Sequence, residues 1–508
     1  MEEEFSNHSN NESFEEVLNS YMSRRQMIVG GLAGAALSFM GGSKVSALTA
    51  NAPQAAAAAK KAKIGFTSIP LQLGAMPTIA PEYDYSVLIP WREKLDGSGK
   101  SFDYAGFTAE DQAKSIGIGH DGISYFGDNK KGMLCINHEY GTTPHIMGKA
   151  VPASIDDVKL SQTAHGVSVV MIENTKTGWK MVKSAKNRRI HGNTAVKFSG
   201  PAAKSEMLVN PAGNPMQGTL NNCANGETPW GTYLTCEENF NGYFGTNDKA
   251  WKPNTDQARY GLAAGGFGYE WHKFDARFDL SNAGYVNEIN RFGWVVEIDP
   301  NNPKQVPVKR TALGRVKHEG AELVIGKGGR AVVYMGDDQR GEYVYRYVSK
   351  FPYKPNQPEH NRTLLDEGTL FVAQFSDSGE GRWIPLVHGQ NGLTKENGFP
   401  DQAYVLIEAR LAADYLKATS LDRPEWVAVH PKTNDVYLAL TNNSQRGKEF
   451  PINAANPRVS NLMGHIVRWK PQGQDAASDR FHWEIFVLAG DQDNADPNQK
   501  GNIRGDIY

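Results

Sequence analysis

Four times in this chain a short apolar strand runs into a group of oxygen-bearing side chains: Leu134-Cys-Ile-Asn-His-Glu-Tyr140, Tyr233-Leu-Thr-Cys-Glu-Glu-Asn239, Val333-Tyr-Met-Gly-Asp-Asp338 and Tyr437-Leu-Ala-Leu-Thr-Asn-Asn443. Aligned on Cys135, Cys236, Met335 and Leu440, they stand 101, 99 and 105 residues apart. Each follows a first strand that also opens on polar groups, at His120-Asp121-Gly122, Glu227-Thr228-Pro229-Trp230, His318-Glu319-Gly320-Ala321-Glu322 and Arg423-Pro424-Glu425-Trp426. Three are followed by a further strand, beginning near Gly293, Glu342 and Gly464. A recurring strand, turn, strand, outer strand unit predicts an all-β propeller whose inner strands line a channel. The period exceeds the roughly 40–50 residues of a usual blade. Either alternate blades carry the motif or the blades hold long insertions, for which residues 201–217, 241–283 and 349–361 are candidates. A β-sandwich with acidic turns is the plain alternative.

Composition supports many short strands, because 52 glycines and 51 aromatic residues suit turns and pleated surfaces better than helices. Only residues 402–417 have a clear helical period. The net charge of −2 gives no broad basic field for nucleic acid, so an anionic substrate must be held by local cations or by metal. Cys135, Cys223 and Cys236 cannot all pair within one chain, which leaves at least one free or ligand-bound. The end of the chain, Gly501-Asn-Ile-Arg-Gly-Asp-Ile-Tyr508, looks like the approach to a fifth repeat. It predicts a missing C-terminal piece and an incomplete last blade with unpaired strand edges.

At the other end, residues 1–22 are polar and acidic, and Ser23-Arg24-Arg25-Gln26-Met27-Ile28 opens a weakly apolar run to Met40. That run is too short and too glycine-rich for a membrane span, which argues against stable membrane insertion. It is expected to be a twin-arginine signal peptide over residues 1–47, with cleavage near Val45-Ser46-Ala47, followed by an alanine-rich flexible linker over 48–62. A chance pair of arginines is the alternative. The propeller then occupies 63–508. On this expectation the twin-arginine export machinery is a partner, and the protein is periplasmic or secreted.

The segment from Asn221 to Asn239 carries more chemistry than packing needs. Glu237 and Glu238, delivered at a strand end, suit hard cations such as calcium, while a thiolate from Cys223 or Cys236 would suit iron or zinc. Two small core cysteines in an ordinary hairpin are the alternative. Glu319 and Glu322 flank His318 so closely that the group would repel or require a cation. Asp337 and Asp338 turn to opposite faces of a strand, and Asp338 is the expected ligand. Arg423 and Glu425 share a face of an extended segment, so the guanidinium can contact an oxyanion while the carboxylate holds a neighbouring metal. Asn137, His138 and Glu139 are further candidates, His138 equally as a hydrogen-bonded core residue. No Gly-x-Ser-x-Gly elbow, phosphate-binding Walker loop or Cys-x-x-Cys pair is present, and Gly117 to Gly122 has dinucleotide-type glycine spacing without the strand–helix context.

The twin-arginine segment, Asn-x-Cys followed by Thr-Pro-Trp-Gly-Thr-x-Leu-Thr-Cys-Glu-Glu, His-Glu-Gly-Ala-Glu, Gly-Asp-Asp and Arg-Pro-Glu-Trp together resemble the PhoX-type alkaline phosphatases of bacteria, over most of residues 60–508. The resemblance implies a six-bladed propeller with a cluster of ferric iron and calcium in its channel, hydrolysing small phosphate monoesters outside the cytoplasm. It also implies that Cys223 bridges iron, that Glu237, Glu319 and Glu425 are metal ligands, and that Arg423 clamps phosphate. The family continues past the position of Tyr508 into a Ser-Pro-Asp-Gly-type segment that supplies another ligand. Two other functions share these features: a non-catalytic, calcium-stabilised propeller that binds a partner, and a calcium-dependent propeller lactonase or esterase. Cys223 separates them, because a purely calcium site has little use for a thiolate.

Overall fold

The computed structural model describes residues 67, 69, 74, 76–99, 104 and 106–503. The expected signal segment 1–47, the linker 48–62 and residues 504–508 lie outside the described residues. The chain divides into two units, one of residues 88–486 and one made by the segments before and after it. In the smaller unit Val487 and Leu488 pair with Ile503 and Asn502. Every candidate site residue belongs to the larger one.

The larger unit carries three sheets. In the first, β1 (His120–Gly127), β2 (Lys131–His138), β3 (Gly166–Thr175) and β4 (Gly178–Met181) follow one another antiparallel, and β5 (Arg188–Ile190) also pairs with β3. The second contains β6 (Lys197–Ser199), β7 (Asn222–Glu227), β8 (Tyr233–Glu237), β9 (Val295–Ile298) and β10 (Val308–Arg310), ordered β6-β10-β9-β8-β7 with only β6 and β10 parallel. The third holds β11 (Glu322–Ile325), β12 (Arg330–Gly336), β13 (Val344–Pro352), β14 (Gly368–Phe375), β15 (Glu380–Pro385), β16 (Pro424–Val429), β17 (Val436–Leu440), β18 (His465–Pro471) and β19 (Arg480–Leu488). Its order is β11-β12-β13-β14-β15-β19-β18-β17-β16, and β16 returns to lie beside β11 and β12, so the sheet nearly closes on itself. The expected outer strands are β9, β13 and β18. Each sequence repeat is thus a run of antiparallel neighbours, and successive first strands pack together: β1 on β7, β7 on β11, β11 on β16.

The first strands share a defect. His120 faces His138 and Ile123 faces Ile136, so Asp121 and Gly122 together oppose the single residue Asn137. Asn222 faces Glu237 and Asn225 faces Thr235, leaving Cys223 and Ala224 opposite Cys236. Pro424 faces Leu440 and Val427 faces Leu438, leaving Glu425 and Trp426 opposite Ala439. Just before β11, a bridge between His318 and Asp337 precedes the pair Glu322 and Tyr334, so Glu319, Gly320 and Ala321 oppose Met335 and Gly336. One extra residue per repeat is a β-bulge, which bends the strand and re-aims a side chain that strict alternation would commit to one face.

The strand period is read correctly from the sequence, but the helical content is underestimated. Residues 402–417 form two helices, Gln402–Ile407 and Ala409–Tyr415, broken at Glu408, whose φ of −107° and ψ of 46° are not helical. Among the described residues the longest helix is Ile155–Ala164, capped by Ser154. Val158 and every residue from Leu160 to Ala164 are buried, so burial on several faces leaves little amphipathic signal in its sequence.

Packing between repeats is close enough to exclude a methyl group. A Cβ on Gly226 would stand 1.9 Å from the carbonyl oxygen of Ala321, and one on Gly336 would stand 2.3 Å from that of Glu425. Only glycine lets two backbones approach like this. Gly226→Ala is therefore expected to destabilise the protein by about 1–3 kcal/mol or more through overpacking. Gly328→Ala, where a Cβ meets nothing within 4 Å, should stay within roughly 0.5 kcal/mol. Denaturant midpoints of the two variants test the contrast.

Candidate metal centre

Each bulge places one side chain, and the residue just after its bridged partner on the next strand places a second. The four resulting pairs are Asp121 with Glu139, Cys223 with Glu238, Glu319 with Asp338, and Glu425 with Thr441. They converge. Ligand atoms of Cys223, Glu238 and Glu319 lie within 4.8 Å of one another, and the Cys223 thiol donates to Glu319 Oε2 at 2.9 Å. Asp121 is hydrogen-bonded to Glu139, and the Thr441 hydroxyl donates to Glu425 Oε1 at 2.6 Å. Arg423 crosses the cluster with Nε 2.9 Å and Nη2 2.7 Å from the two oxygens of Asp338, and Nη2 3.3 Å from Glu425. Cys223, Glu238 and Asp338 are buried; Glu139, Glu319 and Glu425 are half-buried; Asp121 is exposed at the rim.

Six carboxyl groups thus crowd a space in which, among the described residues, Arg423 and Lys317 are the neighbouring basic groups. Burial raises Glu319 well above the ordinary carboxylate range, with Asp338, Glu425 and Asp121 adding to the rise and the Cys223 hydrogen bond opposing it. Burial and then Glu319 do the same to Glu238. Burial, followed by Asp121, pushes Glu139 up to about 8. The Cys223 thiol is raised by burial and by Glu319. Lys317 is pushed down to about 8 by burial, with Arg410 next, and its Nζ lies 3.3 Å from Asn239 Oδ1, whose amide in turn donates to Glu238 Oε1 at 2.5 Å. Groups that resist ionisation because they face one another ionise readily around a cation.

Directly beneath, the bridged residues themselves form a second, neutralised layer. Glu237 is buried, with Oε1 2.7 Å from Lys309 Nζ and Oε2 accepting from the N–H groups of Gly293 and Trp294 at 3.0 and 3.1 Å. Asp337 is gripped by Arg410 through Nε at 2.8 Å and through Nη2. His138 Nε2 contacts Ser168 Oγ at 2.6 Å and is a core residue. His318 Nε2 contacts the Gly314 carbonyl at 2.9 Å. Asn137 fixes the thiol's backbone: its amide donates to the carbonyls of Cys223 and Ala224 at 2.6 and 3.0 Å, while its oxygen accepts from Tyr233 and Thr235, both at 2.8 Å.

Of the side chains expected as ligands, Cys223, Glu238, Glu319, Asp338, Glu425 and Glu139 are brought together with Arg423. Glu237 and Glu322 are not. Glu237 occupies the bridged position, so its side chain points to the layer below. Glu322 resumes regular pairing after the bulge, and its neighbours are the Val429 backbone and Glu227 instead of the cluster. Asp121, Lys317 and Thr441 were missed. The repeat register would have found Asp121 and Thr441, since they occupy the positions of Cys223 and Glu238; nothing in the sequence pattern marks Lys317. All three cysteines are free thiols, and Cys135 and Cys236 are fully buried outside the cluster.

The donor set suits cations: oxygen ligands for a hard ion and one thiol that a borderline metal accepts. A cavity of about 830 Å³ lies elsewhere, lined by Lys94, Asp96, Lys114, Lys183 and Arg188 among others. It gathers no such set.

The profile of the family described as "Alkaline phosphatase PhoX" matches residues 64–508. Among solved structures, the chain is similar to that of "Pseudomonas fluorescens PhoX in complex with vanadate, a transition state analogue", with 44% identity and a TM-score of 0.83, over 86% of this chain and 78% of that one. No curated protein matches.

Two outcomes follow from the layering. Glu237→Ala strands Lys309 in the interior and should cost about 3–5 kcal/mol in chemical denaturation, whereas Glu238→Gln replaces a buried carboxyl that resists ionisation and should leave chelator-treated protein as stable or more so. With cations chelated, Glu139 at about 8 against a reference value of 4.5 makes the folded state bind more protons than the unfolded one between those limits. Stability of the chelated protein should therefore fall as pH rises from about 4.5 to about 8. Restoring a divalent cation should flatten that slope in thermal melts.

Proposed function

We propose, from the premise that the chain belongs to the PhoX alkaline phosphatase family and is a phosphatase, that it releases phosphate from small phosphate monoesters outside the cytoplasm on a centre of iron and calcium. The convergence of four bulges on one acidic cluster carries this reading. Cys223 with Glu238 and Glu319 would hold iron, since a thiolate adds nothing to a purely calcium site. Asp121, Glu139, Asp338 and Glu425 would hold calcium through oxygen. When bound, such cations withdraw charge from phosphoryl oxygens and acidify water.

The chain's own groups supply the rest. Arg423 presents Nε and Nη2 as a fork to the flat Asp338 carboxylate, and the same fork matches two oxygens of a phosphoryl group. Lys317, buried near Glu238, favours the ionised form of that carboxylate against the acidic groups around it. Near the cluster the Thr441 hydroxyl is committed to Glu425, which favours solvent over a side chain as the attacking oxygen. The vanadate complex of the similar protein suits an in-line displacement at phosphorus.

A six-bladed propeller over residues 63–508 is supported by the four repeats and by the packing of each first strand on the next. Export rests on the double-arginine segment Ser23 to Ile28. Among the described residues no helix is long and apolar enough to cross a membrane.

Elemental analysis of purified protein should find iron and calcium, and chelation should abolish turnover of a chromogenic phosphomonoester. Arg423→Ala should weaken inhibition by inorganic phosphate by about tenfold to a hundredfold, the equivalent of roughly 1.5–3 kcal/mol for a charge-assisted contact, with metal content kept. A variant that loses its metal instead would assign Arg423 a different role.

A further inference from the structure

We propose that Asp422 is a positioning residue for Arg423, holding the strained backbone from which the guanidinium reaches its oxyanion. This rests on the assignment of Arg423 to phosphate. Arg423 has φ +41°, in the left-handed region, and directly precedes Pro424. A residue before proline favours an extended backbone, and a non-glycine residue in the left-handed region costs about 1–3 kcal/mol. The surroundings must therefore over-determine this conformation.

Asp422 does so from a fully buried side chain. Its Oδ1 accepts from Arg446 Nε at 2.6 Å and Asn443 Nδ2 at 2.8 Å, its Oδ2 from Asn461 Nδ2 at 3.2 Å, and its own N–H donates to Asn456 Oδ1 at 2.8 Å. Arg446, also fully buried, reaches on to Ser420 Oγ at 3.1 Å and the Pro451 carbonyl at 2.8 Å, while the amides of Asn453 and Asn456 donate to the Ser420 carbonyl at 3.1 and 3.0 Å. Residues 420–422 are thus gripped from several directions just before the strained position. Just after it, the N–H of Thr441 donates to the Arg423 carbonyl at 3.3 Å.

A buried ion pair is weak evidence for stability, because desolvation offsets its attraction and apolar residues of similar volume often do as well. Orientation is the better account of this one. The fourth repeat points the same way. Where the other three place Glu139, Glu238 and Asp338 in the cluster, it has Thr441, and the Asn443 that ends its motif turns beneath to Asp422 instead. Its polar strand end is spent on supporting Arg423.

The test is a double-mutant cycle on the metal-loaded protein, reading KM, kcat and the inhibition constant of inorganic phosphate with a chromogenic phosphomonoester. Asp422→Asn should raise the phosphate constant and KM about tenfold, with a smaller fall in kcat and unchanged metal content. In the Arg423→Ala background it should add nothing further. If Asp422→Asn does not fold, Asn461→Ala, which loses the longest contact to Asp422, replaces it in the cycle with an expected threefold effect. Full additivity, or a loss of kcat and metal with the phosphate constant unmoved, overturns the proposal. An Arg423→Ala protein that binds phosphate normally overturns the clamp assignment itself and the proposal with it.

Discussion

One surplus residue in the first strand of each repeat is the constraint on which the site depends. In a regular antiparallel pair, Asp121, Cys223, Glu319 and Glu425 would alternate with their neighbours and be fixed by the ladder to one face of each sheet. The bulge frees each of them from a cross-strand partner and lets it turn into the shared cluster. Tight backbone approaches at Gly226 and Gly336 then bring adjoining repeats close enough for short side chains to share one space. Geometry that costs ladder hydrogen bonds is recovered as a convergent set of ligand atoms.

The two layers under this arrangement divide electrostatic labour. At the bridged positions Glu237 has Lys309 and Asp337 has Arg410, so charge is matched and buried. One residue further along each strand, Glu238 and Asp338 meet other carboxyl groups, with Arg423 on Asp338, so that among the described residues acidic groups outnumber basic ones there. The matched layer makes the mismatched one tolerable: a carboxylate held rigidly from below cannot swing away from its like-charged neighbours, so the repulsion is available to whatever cation enters. Asn137 performs the same service for the thiol by pinning the carbonyls of Cys223 and Ala224.

Much of this could be read in the sequence because it is repeated. The four strand ends and the shared face of Arg423 and Glu425 follow from a two-residue period, as does the opposition of Asp337 to Asp338. The choice between Glu237 and Glu238 does not, since it turns on which residue bridges Asn222, and a register shift of one is invisible in composition. Glu322 misled because three acidic or titratable residues in five look like one group, although the bulge ends between Glu319 and Glu322 and sends them to different surroundings. Asp121 opens the first strand of its repeat where Cys223 opens another, an equivalence that the strand pairing makes explicit. Lys317 needed tertiary structure altogether: a lysine beside an apolar-looking turn announces nothing until its partners, drawn from Asn239 and the acidic groups around it, are known.

The substitution of Thr441 for a fourth acid gives the cluster a front and a back. A set of four equal acidic arms would repel an approaching dianion equally from every quarter. Here three arms end in Glu139, Glu238 and Asp338, while the fourth ends in a hydroxyl already turned to Glu425, with Arg423 beside it. The arrangement of charge is therefore lopsided, with the Arg423 guanidinium set on the hydroxyl side between Asp338 and Glu425. A single missing carboxylate thus gives a fourfold plan one side unlike the other three.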